Sequence, residues 1–260
     1  MSAAVISLLT DFGVTDPYVG VMKGVILGIN PEAKLVDVTH DVPPQDVLAG
    51  ALLLHSSYRH FPEGTVHLVV VDPGVGSERR LLAARTKRGA FVGPDNGVLT
   101  LALEDEEDVQ VVEVGNRALF REPVSDTFHG RDILAPVAAH LSLGFPLQEV
   151  GPAALDLTLI EFPRPARGEG EARGEVIYVD HFGNAVTNLT TRDAGPGKLE
   201  VRVGERVIGG ISRSYAARPP GELLAVVGSM GFIELAVNRG SAAAAFGLKC
   251  GDPVVLRKVS

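Results

Sequence analysis

Residues 66–71 read VHLVVV, a run that is apolar except for His67 and ends at Asp72 before PGVGSERR. An apolar run without alternation needs cover on both faces, which is the condition of an interior strand in a parallel sheet. Residues 4–9 (AVISLL) have the same character and end at Thr10-Asp11. Two such strands with polar residues at their ends commit the first part of the chain to an α/β fold.

The intervening segments supply the helices. VGVMKGVILGI (19–29) is apolar at helical spacing and stops at Asn30-Pro31, a helix terminator. A second helical pattern covers 46–60, a third 98–104, and a fourth 132–143 with a proline in its early turns. Residues 34–38 and 109–114 read as strands, and 81–86 with 90–92 as a hairpin. The texture changes at Pro163. Residues 163–174 are rich in Pro, Gly and charge, the composition of a linker. Short strand-like runs then occupy 176–179, 186–189, 199–203, 206–208, 223–227, 232–237 and 253–258, separated by Gly or Asn turns. That spacing predicts a small antiparallel barrel or sandwich. The expected organisation is an α/β domain over 1–162, a linker over 163–174 and a C-terminal β-barrel over 175–260.

Bulk properties exclude several functions. The 260 residues carry a net charge of −8, which argues against nucleic acid because phosphate binding needs a basic surface. No uninterrupted apolar stretch approaches the ~20 residues of a membrane span, and the N-terminus lacks a signal sequence, so a cytoplasmic protein is expected. The single Cys250 forms no disulfide within the chain and is expected to be wholly or partly buried. No HExxH or CxxC spacing implies a metal. The PGVGS loop lacks both GxGxxG and a GK[ST] ending, so it is a weak phosphate signal.

Three clusters carry candidate chemistry. Asp72 and Asp11 come directly after buried strands, at the edge where open α/β sheets bind ligands. Asp72 can equally cap the DPG turn, and Asp11 can equally cap a helix; a carboxylate at Asp11 also suits a ribose diol. Arg79 lies seven residues past Asp72, close enough to pair with it or hold an anion. In DTFHGRD (126–132), His129 stands beside a glycine ahead of a helix, as a base or donor would, while Arg131 and Asp132 read as a local ion pair and cap. The other six histidines read as structural. In DHFGN (180–184), Asp180 can accept from an ammonium, Phe182 can stack and Asn184 can pair with a base edge; a plain turn accounts for the same residues.

Seven segments in one order, LLTDFG, DVTHDVPPQD, VVVDPGVGSERR, FVGPDNGVL, TFHGRDILAPVAAHL, DHFGNAVTN and GSMGFIELAVNRGSA, make the chain resemble the S-adenosylmethionine hydroxide adenosyltransferase family, the hydrolytic relatives of the fluorinase and chlorinase. The resemblance implies an α/β domain followed by a β-barrel. It also implies a homotrimer with interfacial sites, no metal or other cofactor, and S-adenosyl-L-methionine as substrate, hydrolysed to adenosine and methionine. It makes Asp72, Arg79 and His129 the water-handling triad, which halogenating relatives lack. Asp11 becomes the ribose carboxylate. The remaining substrate contacts become Asp16, Thr127, Phe128, Asp180, Phe182, Asn184, Tyr215, Ser229 and Ala242. The chain departs from the fluorinase at Gln45, where that enzyme has a tryptophan, and at Met230, where it has an arginine near the methionine carboxylate. A halogenase and a nucleoside-binding protein with negligible turnover are the alternatives.

Overall fold

The computed structural model describes residues 4–259, which fall into two compact units, one up to Ile160 and one from Glu161.

The first unit is a six-stranded sheet with helices on both faces. In chain order it contains β1 (Val5–Thr10), α1 (Tyr18–Ile29), β2 (Lys34–Thr39), α2 (Val47–Ser57), β3 (Thr65–Val70), β4 (Leu81–Arg85), β5 (Gly89–Pro94), α3 (Thr100–Glu104), β6 (Gln110–Glu113) and α4 (Ala135–Ser142). The sheet order is β2-β1-β3-β5-β4-β6. β2, β1, β3 and β5 are parallel, while β4 runs antiparallel to both its neighbours. Every residue of β3 is buried, as an unalternating apolar run requires. Alternate residues of β1 and β3 (Ile6, Leu8, Val66, Leu68, Val70) pack with Met22 and Ile26 of α1 and with Val137 and Leu141 of α4. α2 packs with α3 and against β1. Asp46 caps α2 by accepting from the Ala49 N–H at 2.9 Å. A single wide turn, Gly130–Leu134, leads into α4, whose proline falls in its first turn, where no donor is missed.

Sheet order puts two carboxylates side by side. β1 connects to β2 on one side and has β3 on its other side, with Thr10 in register with Val70. The strand order therefore reverses between β1 and β3. Asp11 and Asp72 leave the carboxyl ends of these two strands, at the switch point where open sheets bind ligands.

The second unit holds β7 (Ala166–Gly168), β8 (Glu171–Val179), β9 (Ala185–Thr187), β10 (Lys198–Val203), β11 (Arg206–Gly209), β12 (Leu223–Val227), β13 (Ile233–Val237), α5 (Ala242–Phe246) and β14 (Pro253–Val259). The strands pair antiparallel in the order β11-β10-β14-β8-β9-β13-β12, and a bridge between Ser212 and Val226 brings the ends of this path together into a nearly closed barrel. Two expectations need correction. Residues 166–168 and 171–174 are paired strand, not linker: β7 and the first half of β8 form a hairpin. Its inward positions include Ala172 and Gly174, too small to leave an apolar signal among the charged residues. Cys250 is exposed, because it lies in the turn before β14. No described helix is long and apolar enough to cross a membrane.

Candidate active site

In the first unit, the chain leaves β3 at Val71, and the Asp72 side chain is almost wholly buried. The loop 73–78 folds back so that Arg79 meets it at two points. Arg79 Nε donates to Asp72 Oδ1 at 2.6 Å, and Nη2 donates to Asp72 Oδ2. The other hydrogen of Nη2 points to His129 Nδ1, 3.0 Å away. One planar guanidinium thus binds a carboxylate and an imidazole that are far apart in the chain. This three-way contact needs the 73–78 loop to lie close against the 125–129 segment. At Gly76 (φ +80°) a Cβ would stand 2.5 Å from the Asp126 carbonyl oxygen, so only glycine fits there.

His129 is held neutral. Burial and the adjacent Arg79 charge push its pKa below the usual 6.5, against the opposing pull of Asp72, Asp126 and Asp132. The segment carrying it is anchored by Asp132, whose side chain is fully buried. Asp132 accepts from Arg131 at 2.7 and 2.6 Å, from Arg121 at 3.1 Å and from the Ser125 N–H at 2.9 Å. Arg131 also lies over the Phe128 ring, 5.1 Å from its centre. Phe128, Phe12 and Tyr18 meet edge to face with centroids 5.4–5.9 Å apart, linking the segment to the start of α1. This aromatic triangle was not legible as a unit, since its members come from three separate stretches.

Asp11 is partly occupied: its Oδ2 accepts from the Gln45 N–H at 2.8 Å. That bond holds Gln45 at φ +67°, a conformation costly for a residue with a Cβ. Asp16 and Thr127 are exposed, and Thr127 Oγ1 lies 3.3 Å from Ser125 Oγ.

The second unit has a cavity of about 530 Å³ bounded by Asp180, Phe182, Asn184, Tyr215, Ser229 and Glu234, with Met230 and Arg239 also on its wall. Four predicted contacts after residue 180 therefore share one cavity with Asp180. Ala242 does not line it; it is fully buried in the barrel core. Asp180 mostly serves its own turn. Its Oδ1 accepts from the N–H groups of Phe182 (2.9 Å) and Asn184 (2.8 Å), and its Oδ2 accepts from Asn184 Nδ2 at 2.8 Å. Phe182 is 73% exposed, a large apolar side chain left open to a ligand. Sequence reasoning missed Glu234, which is 5% exposed. Its signal was a lone glutamate inside the otherwise apolar FIELAV strand.

Among the described residues, no group of three or more His, Cys, Asp or Glu is placed to hold a metal ion.

Charged side chains assembled at a switch point, on strands otherwise sealed in apolar packing, define an α/β ligand-binding fold of the kind that enzymes use. Residues 6–151 match the SAM hydroxide adenosyltransferase N-terminal domain, and residues 174–255 match the corresponding C-terminal domain. The chain belongs to the SAM hydroxide adenosyltransferase family. A Thermus thermophilus protein named (R)-S-adenosyl-L-methionine hydrolase is 44% identical over 262 residues, covering 95% of this chain and 97% of its own. A Salinispora tropica protein of the same name is 43% identical, covering 95% of each chain. A fluorinase from an Actinoplanes species is more distant, 30% identical with 98% and 97% covered. The crystal structure of a conserved protein from Thermotoga maritima superposes with a TM-score of 0.90 at 40% identity, covering 97% of this chain and all of that one.

Proposed function

We propose that this chain hydrolyses (R)-S-adenosyl-L-methionine to adenosine and L-methionine. The single observation that carries the reading is the contact of Arg79 with both Asp72 and His129 at the sheet's switch point. The closer identity to relatives named hydrolases (36–44%) than to fluorinases (30–31%) supports water as the nucleophile.

In this mechanism a water oxygen attacks ribose C5′ in line with the sulfonium sulfur. The C5′–O bond forms, the C5′–S bond breaks, and the sulfur keeps the bonding pair. The leaving group is a neutral thioether, so no general acid is required. The nucleophile is the difficulty, because free water has a pKa of ~15.7. Arg79 lowers the cost of the developing hydroxide by its charge. His129 accepts from Arg79 at Nδ1, so its Nε2 carries the hydrogen and orients the water as a donor. Asp72, facing the same guanidinium, is left as the proton acceptor. Alignment supplies the remainder and is worth ~7–11 kcal/mol in well-oriented systems. Asp11 takes the ribose diol. The family resemblance assigns further substrate contacts to Asp16, Thr127 and Phe128 in the first unit and to Asp180, Phe182, Asn184, Tyr215 and Ser229 in the second.

The family resemblance adds a homotrimer with interfacial sites and a metal-independent enzyme, and the sequence reading adds a cytoplasmic location. Light scattering after size exclusion tests the trimer, and turnover after chelator treatment tests metal independence. Turnover in ¹⁸O-labelled water, with each sulfur epimer supplied separately, tests the reaction: one label should enter the adenosine 5′-hydroxyl, from the R epimer. Label-free product, or 5′-halo-5′-deoxyadenosine formed with halide present, overturns the reading.

A further inference from the structure

All five residues of β13 are buried, and four of them are apolar. Ile233, Leu235 and Val237 belong to the barrel core, while Glu234 points to the opposite face and borders the second unit's cavity. Room for its carboxylate is built into the fold. A Cβ at residue 228 would stand 1.7 Å from Glu234 Oε1, so any side chain there would push the carboxylate out of this position. Tyr215 fixes the carboxylate by donating to Oε2 at 2.9 Å. The ionisable groups acting on Glu234 are Tyr215 and Asp180, and neither supplies positive charge. Together with burial, Asp180 raises the Glu234 pKa. A buried carboxylate facing a cavity, beside a second one, is complementary to a cation.

Asp180 is the less available partner. Three of its acceptor directions are filled within its own turn. Met230 on the same wall brings no charge, and Arg239 is the wall's cation. The ligand class this arrangement suits is an amino acid with a free primary ammonium. We propose that Glu234, held in place by Tyr215, is the specificity-determining contact for the α-ammonium group of the substrate's amino-acid end. The ligand's identity rests on the hydrolase reading.

The test compares two ligands that differ in that amino-acid end. S-adenosylhomocysteine carries the ammonium, and 5′-methylthioadenosine lacks it. Glu234→Gln keeps the shape and an acceptor for Tyr215 but removes the charge. Calorimetric titration should show at least tenfold weaker binding of S-adenosylhomocysteine and less than twofold change for 5′-methylthioadenosine. Equal weakening of both ligands, or of neither, overturns the proposal. If the Gln variant does not fold, Glu234→Asp serves instead. It keeps the charge but draws the carboxylate back by one methylene, so it should weaken S-adenosylhomocysteine selectively, and an unselective effect again overturns the proposal. The hydrolase reading fails separately, by an absence of adenosine from wild-type protein, whatever these affinities are.

Discussion

Arg79 Nη2 donates to His129 Nδ1 across 3.0 Å, and this bond fixes the imidazole's tautomer. A guanidinium has no lone pair to offer, so Nδ1 must accept and Nε2 must carry the hydrogen. Protonating the ring would set an N–H against an N–H. Burial and the Arg79 charge already place that protonation below pH 6.5. Turnover should therefore hold at neutral pH and fall in acid, with its midpoint below the ordinary histidine value, as Nδ1 takes a proton. His129→Asn, which can also accept from Arg79 and donate to water, should retain more activity than His129→Ala and lose this acid limb. A pH–kcat profile measures both. An unchanged limb in the Asn variant would assign the titration to another group.

Arg79→Lys tests whether geometry or charge alone matters. A lysine ammonium keeps the positive charge but not the planar fork that meets both Asp72 oxygens and His129. Loss of such an aligned charge should lower kcat by roughly 10²-fold with little change in KM. A lysine variant within a few-fold of wild type would mean that charge suffices.

Some of this was legible in the sequence for a physical reason. Asp72 and Asp11 were visible because each ends a buried apolar run, and a charge at that boundary must lie at a strand end. Arg79 and His129 were visible as candidates and the family resemblance grouped them with Asp72, but the residues alone did not give their contact, since it depends on two loops meeting at Gly76. Arg131 and Asp132 read as an ion pair, and the structure shows them paired. Glu234 was hidden inside an apolar strand. The β7–β8 hairpin was hidden because pairing of its backbone leaves no mark when the inward side chains are small. Tyr215 and Glu234 are 19 residues apart, and only the barrel's curvature brings them together.

Asp132 touches no reacting atom in the proposed mechanism, yet it should control turnover. Burial raises the cost of its charge, while Arg131, the Ser125 N–H and Arg121 more than offset that cost and leave its pKa lowered. Its stabilising effect is thus present above the ordinary aspartate range and is lost as pH falls through the lowered value. Asp132→Ala removes the carboxylate that anchors residues 121–131. Because Arg131 and Arg121 keep access to solvent, it should cost about 1–3 kcal/mol, the range for losing hydrogen bonds to a charged group rather than for stranding a buried charge. Thermal unfolding reads the cost. Turnover at a temperature where the variant remains folded should still fall, because His129 loses its anchored segment. A stable variant with full activity would show that the segment holds itself.

His67 should make stability depend on pH in a defined window. Its ring stacks on Phe91 with centroids 5.0 Å apart and meets Ser7 Oγ at 2.7 Å through Nδ1. Burial, with a smaller push from Arg88, lowers its pKa from 6.5 to about 4. Between these values the unfolded chain binds a proton that the folded chain refuses, so stability rises with pH across the window and falls as acid is added. The full effect of a shift of this size is about 3 kcal/mol, reached near pH 4. His129 and His140 also have lowered values and contribute with the same sign, so the comparison must be with a variant. His67→Gln can keep a bond to Ser7 and does not titrate. It should be less stable at pH 7 but lose less stability than wild type between pH 6.5 and 4. Denaturant unfolding at several pH values measures the two slopes, and parallel slopes would place the proton uptake elsewhere in the chain.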